Sequence, residues 1–280
     1  MGSSDFVIRA MAPADLALAI EWAAGEGWNP GLDDAEAFLT ADPGGFLIGE
    51  LGGEPAGGIS VVAYGQAFGF LGLYIIRPEF RGRGYGIKLW QAGMKRLAGR
   101  NVGLDGVAAQ QANYRRSGFQ YAYANARFEG VGGGSAPGGT IELADVPFER
   151  VSACDARHFG VPREAFLRTW IKRPGGRALG VVEEKHLRGY GVIRPCRVGH
   201  KIGPLFADTP EVAERLFTGL AASVPGDPLF LDVPRSNGAA VALAERHGMA
   251  PVFETARMYT GGDPGLPVEC VYGVTTFELG

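Results

Sequence analysis

At 280 residues with a formal net charge of −3, the chain has no excess of positive charge, which argues against a nucleic-acid surface. A hydrophobic fraction of 46% supports ordinary buried cores, and the length suits two domains of roughly 140 residues better than one. Three widely spaced cysteines (Cys154, Cys196, Cys270) form no C-x-x-C pair and predict a reduced, cytoplasmic setting rather than a disulfide framework. The four histidines share no metal-ligand spacing, so no metal is expected. No apolar run approaches a membrane span and no signal-peptide core opens the chain, so no membrane contact is expected.

In chain order, Phe6 to Ala10 reads as a strand, and Ala14 to Ala24 has helical apolar spacing with Pro13 at its start. After the loop containing Glu26, Trp28 and Asn29, Asp33 or Asp34 can cap a short helix through Thr40. Strands follow at Phe46 to Glu50, Gly58 to Tyr64 and Ala67 to Ile76, joined by Gly-rich turns. A glycine-rich turn then opens a helix from Ile87 to Leu97. Beyond it come a strand from Val102 to Val107, a short helix from Ala109 to Arg116 and strand character from Phe119 to Glu129. Residues 131–140, nearly all glycine and small residues, predict a flexible linker between domains 1–130 and 141–280. The second half predicts helices at Phe148 to Phe159 and Arg163 to Lys172, then strands at Ala178 to Glu183, Gly189 to Arg194 and Lys201 to Phe206. A helix from Glu211 to Ala222, a strand from Leu229 to Val233 and a helix from Asn237 to His247 complete it. Both halves are α/β, each expected to form a mixed sheet flanked by helices.

The chemistry concentrates in Arg81-Gly82-Arg83-Gly84-Tyr85-Gly86. A strand that feeds a glycine-rich turn opening a helix presents backbone N–H groups at the positive end of the helix dipole, which suits a phosphate. A dinucleotide fingerprint fails at the third glycine, where Ile87 stands, and no Gly-Lys-Ser/Thr tripeptide of a phosphate-binding loop occurs. Trp28 and Asn29 can line an acceptor pocket or anchor their loop on the core.

Ile76-Arg77-Pro78-Glu79-Phe80-Arg81-Gly82-Arg83-Gly84-Tyr85-Gly86 resembles the acetyl-CoA motif V-x-P-x-x-R/Q-x-x-G-x-G/A of the GNAT superfamily of N-acetyltransferases. Tyr114-Arg115-Arg116-Ser117-Gly118-Phe119 is similar to its Y-x-x-x-G-F element. The resemblance implies two tandem domains of that family and acetyl-CoA held by Arg81 through Gly86. Backbone N–H of Ile75 or Ile76 would polarise the carbonyl, Asn113 is counted with the cofactor-binding residues, and Tyr114 would protonate the leaving thiolate. No carboxylate lies on the strand Ala67 to Ile76, so the general base is sought among Asp105, Glu26, Asp33 and Asp34, any of which could bind or deprotonate the amine, with Glu26, Trp28, Asn29, Asp33 and Tyr74 expected around the acceptor. In the second half, Asp208-Thr209-Pro210-Glu211 opposes anion binding at its helix start, and Ala244 stands where the family has tyrosine. One active site is therefore expected, acetylating a small-molecule or peptide amine. A non-catalytic acyl-CoA sensor is the alternative, and monomer and oligomer both stay open.

Overall fold

The computed structural model describes residues 5–280. The first half contains β1 (Phe6–Ala10), α1 (Pro13–Gly25), α2 (Asp34–Ala41), β2 (Phe46–Leu51), β3 (Glu54–Tyr64), β4 (Phe68–Ile76), α3 (Tyr85–Arg96), β5 (Asn101–Val107), α4 (Gln111–Arg116) and β6 (Gln120–Val131). The second contains β7 (Ile141–Glu142), α5 (Phe148–Phe159), α6 (Glu164–Trp170), β8 (Arg177–Glu183), β9 (His186–Pro195), β10 (His200–Ala207), α7 (Pro210–Ala221), β11 (Pro228–Pro234), α8 (Gly238–Arg246), β12 (Ala250–Tyr259) and β13 (Val271–Gly273). None of these helices is long and apolar enough to cross a membrane.

The halves repeat one architecture, but they do not form separate sheets. Among the described residues, a single 13-stranded sheet runs β1-β2-β3-β4-β5-β12-β6-β11-β10-β9-β8-β7, with β13 attached to β10. The strand that follows the last α-helix of each half crosses to the other. β12 pairs antiparallel with β5, Arg257 opposite Asp105, and β6 pairs antiparallel with β11, Arg127 opposite Asp232. The two exchanged strands also pair with each other along most of their length. A bare β5 or β11 would end its sheet on unpaired N–H and C=O groups, and the exchange covers both edges.

The glycine-rich run begins where β6 ends, yet the sheet does not divide there. Its first glycines are fastened rather than free: Gly132 N–H donates to Asp227 O at 2.8 Å and Gly133 N–H to Ala221 O at 2.8 Å. The sequence pattern located the composition change; strand pairing placed β6 inside the second half's sheet.

Helices α1, α2, α5 and α6 share one continuous core that crosses the junction, where Phe38 of α2 stacks on Trp170 of α6 at 6.3 Å. Asp34, at the start of α2, is the polar centre of this junction. It accepts from Arg173 Nη1 at 2.8 Å, Arg194 Nε at 3.1 Å and Gly31 N–H at 2.8 Å, and both guanidinium groups lie over the Trp170 ring. Burial alone would raise its pKa, but Arg194 and Arg173 outweigh it and hold the carboxylate below the ordinary value. Asp34→Ala leaves two buried guanidinium groups without their counter-charge and should cost about 3–5 kcal/mol, read from the denaturant midpoint. Because the folded pKa is depressed, the wild-type advantage is present above the unfolded carboxylate range near 3.9 and is lost as pH falls through the folded value.

Candidate active site

Strands β4 and β5 pair in parallel from Phe68 opposite Asn101 to Leu71 opposite Leu104, and then part. Beyond Leu71, β4 remains paired with β3 only, and Leu73 takes a left-handed φ of 43° where the β3–β4 register shifts. The freed edge of β4 borders a cavity of about 370 Å³. An unpaired strand edge offers N–H and C=O groups to a ligand.

The glycine loop lies at the end of β4. Gly82 and Gly84 have φ of 74° and 81°, a conformation that other residues adopt at a cost, and a Cβ at either would point into open space. Among the described residues, the amides of 82–87 have no backbone or side-chain acceptor before α3 is fully hydrogen-bonded. Gly86 has a different reason for lacking a side chain: its Cβ would lie 2.7 Å from Tyr74 Oη, so it lets α3 sit against β4. Tyr85 stacks on Phe6 at 4.7 Å. Arg81 donates from Nε to Ile76 O at 2.7 Å and from Nη2 to Glu26 at 2.5 Å, while Arg83 is exposed.

Tyr114 enters from the opposite wall. Its ring packs on Gly106 of β5, where a Cβ would lie 2.3 Å from Tyr114 Cε2, and it stacks on Trp90, which also meets Tyr74 at 5.4 Å. The Tyr114 hydroxyl has no hydrogen-bond partner among the described residues. Burial, with a smaller contribution from Tyr74, pushes its pKa up to about 12. Tyr114 is therefore a phenol that keeps its proton at neutral pH.

Of the residues expected at the site, Glu26, Trp28, Tyr74, Ile75, Ile76, Arg81, Asp105 and Tyr114 border the cavity. Asp105, expected as the base, has its carboxylate occupied. It accepts from Arg257 Nε at 2.8 Å, Arg257 Nη2 at 2.7 Å and Asn125 Nδ2 at 2.7 Å, and its side chain is fully buried. Burial pushes its pKa up against the pull of Arg257. It braces β5 against β12 and β6. Asn113 is exposed on α4, bonded to Gln110 and Arg116, and does not border the cavity. Asn29 exchanges hydrogen bonds with the backbone of Val198 at 3.0 and 2.9 Å, so it fastens its loop to the second half. Asp33 is exposed at the start of α2, where its side chain caps nothing.

The residues that sequence reasoning missed come from the exchange: Arg127 on β6, Phe253 and Thr255 on β12, and Phe277 and Glu278 beyond β13. Alternation along β12 could have grouped Phe253, Thr255 and Arg257 on one face, but nothing local assigns that face to the first half's cavity.

The second half's equivalent cleft is filled. β10 and β11 pair from His200 opposite Leu229 to Ile202 opposite Leu231, after which β10 pairs Leu205 and Phe206 with β13 instead. Val274 N–H donates to Asp232 O at 2.8 Å, and Asn237 Nδ2 donates to the carbonyls of Val268, Glu269 and Val271. At the start of α7, Thr209 Oγ1 accepts from Val212 N–H at 3.4 Å, and Asp208 accepts from Arg157 Nη2 at 2.9 Å.

Residues 15–119 match the family described as the acetyltransferase (GNAT) family, and residues 151–273 match the acetyltransferase (GNAT) domain. Holothin acyltransferase from a Pseudoalteromonas species is 31% identical over 263 residues, which cover 93% of this chain and 90% of that protein. A solved structure from Pyrococcus horikoshii superposes with a TM-score of 0.84 at 23% identity, covering 100% of this chain and 98% of its own. A tandem GNAT protein from the clavulanic acid biosynthesis pathway gives 0.62 at 14% identity, with 91% and 98% covered; at these identities both likenesses concern the fold alone. The chain thus belongs to the GNAT acetyltransferase family, as a two-domain N-acyltransferase.

Proposed function

We propose that the first half binds acetyl-CoA and acetylates a primary amine, on a small molecule or a peptide, by direct transfer with both substrates in the cavity. The observation that supports this most is the contrast between the open β4–β5 cleft and the β13-filled cleft of the second half. The unbonded amides of 82–87, at the positive end of α3, would hold the pyrophosphate, and the parted edge of β4 would take the amide-bearing arm. Bound there, acetyl-CoA supplies an activated thioester carbonyl. The backbone N–H of Ile75 or Ile76 polarises the carbonyl oxygen, and Tyr114 donates its proton to the departing sulfur. Trp28, Phe253 and Phe277 give the acceptor end of the cavity apolar walls, so the second half shapes that end without binding a second acetyl-CoA. The name of the 31%-identical relative, holothin acyltransferase, supports acyl transfer as the reaction.

Thiol release from acetyl-CoA across a panel of amines tests this reading directly. Acetyl-CoA binding without release for any amine would replace it with a sensor. Tyr114→Phe should lower kcat by about 10²–10⁴-fold while calorimetry shows an unchanged Kd for acetyl-CoA. An unchanged kcat would take the acid role from Tyr114. Gly84→Val should abolish CoA binding, since its side chain stands in front of the loop amides. It should destabilise the fold by only about 1–2 kcal/mol from the left-handed backbone. One full equivalent of CoA bound to that variant would move the site elsewhere.

A further inference from the structure

The acceptor of an N-acyltransferase arrives as an ammonium ion and must lose a proton before its nitrogen can attack. Among the described residues, neither first-half carboxylate that borders the cavity is free for that task, and Asp33 does not border it. Asp105 is buried under Arg257 and Asn125, Asp34 under Arg173 and Arg194, and Glu26 is held by Arg81 at the cavity rim. The cavity has one further carboxylate. Glu278 borders it at only 6% exposure, and its side chain has no hydrogen-bond or ion-pair partner among the described residues.

Glu278 sits where the chemistry would occur. A Cβ on Gly72 would lie 2.3 Å from Glu278 O and 2.7 Å from Glu278 Cα, so the segment 274–280 lies directly on β4. Gly72 is the first residue after the last β4–β5 pair, at the floor of the parting cleft. The segment is fixed in place. Ser60 Oγ donates to Glu278 O at 3.1 Å, Thr276 Oγ1 accepts from the amides of Glu278 and Leu279, and Tyr64 Oη donates to Leu279 O at 3.0 Å.

We infer that Glu278, delivered from the second half, is the catalytic base that accepts the proton of the acceptor's ammonium group. This rests on the acetyltransferase reading above. An ammonium held by Glu278 lies beside the freed edge of β4. Once its proton is on the carboxylate, the nitrogen lone pair attacks the thioester carbon. The C–N bond forms, the C–S bond breaks, and the electron pair leaves on sulfur, which takes the Tyr114 proton. The nitrogen's second proton restores Tyr114 through water, and Glu278 returns its own to solvent, so one amide, one CoA thiol and one proton leave.

Burial pushes the Glu278 carboxyl above the ordinary carboxylate range, which brings it closer to a working base. The charges that act on it are Lys201 on β10, Arg127 on β6 and Arg194 on β9, which lower it, and Asp34 on α2, which raises it. Glu26, Arg81, Asp105, Tyr74 and Tyr114 are the other ionisable groups around the same cavity.

The test compares wild type, Glu278→Gln and Glu278→Asp in CoA release, acetyl-CoA calorimetry and thermal melting across pH. Glu278→Gln should keep acetyl-CoA affinity and lose at least about 100-fold in kcat. It should also lose the acidic limb of the pH–rate profile, which Glu278→Asp retains. The folded pKa is raised, so the stability this group contributes is present below the unfolded value and lost as pH rises through the folded one. Wild type should therefore fall in Tm relative to Glu278→Gln over that interval, a difference that does not depend on turnover. Turnover by Glu278→Gln within threefold of wild type, with the same acidic limb, would overturn the inference and leave the acetyltransferase reading intact. Absence of CoA release by wild type with every amine would overturn both.

Discussion

The antiparallel pairing of β6 with β12 is the constraint on which the rest of the molecule depends. Each strand completes the other half's sheet, so neither half can be removed without uncovering a row of unpaired backbone groups. The same pairing carries side chains across the junction. Arg127 reaches Asp232 with two bonds, at 2.7 and 2.8 Å, and donates to Trp28 O at 2.6 Å, tying β6, β11 and the loop after α1 together. Arg257 does the same from β12 to Asp105 on β5. Buried pairs of this kind add little net stability over apolar packing, but removing one partner is costly, so they favour a single register over its neighbours.

The exchange also explains why two copies of one architecture act differently. In the first half, β4 leaves β5 after Leu71 and the space stays open. In the second, β10 leaves β11 at the corresponding place and β13 moves in. Residues 274–280, which follow that plug, continue onto β3 and β4 and form part of the open cavity. One stretch of chain therefore closes one cleft and furnishes the other. The cavity is a composite: Tyr74, Arg81 and Tyr114 from the first half, and Phe253, Phe277 and Glu278 from the second. Burial in a low-dielectric wall raises the pKa of Tyr114 and of Glu278 alike, keeping protons on one group and making the other a stronger acceptor.

The amino-acid sequence alone determined the local features: the repeated order of strands and helices, the glycine loop leading into α3, Tyr114 and its Gly-Phe sequel, and the Asp-Thr-Pro-Glu start of α7. Each is legible because its cause is local, in hydrophobic period, in the backbone freedom of glycine, or in a capping side chain within four residues. Tertiary structure alone decided what those features meet. Asp105 stands on a strand that borders the cavity, but Arg257, 152 residues later, takes its carboxylate. Asn29 lies in the loop expected to line the acceptor, yet it bonds Val198 of the other half. Glu278 has no sequence signature, because its buried place on Gly72 depends on the exchange of strands between halves. Contacts between residues far apart in the chain leave no period and no spacing to read, and the acceptor side of this site is built from such contacts.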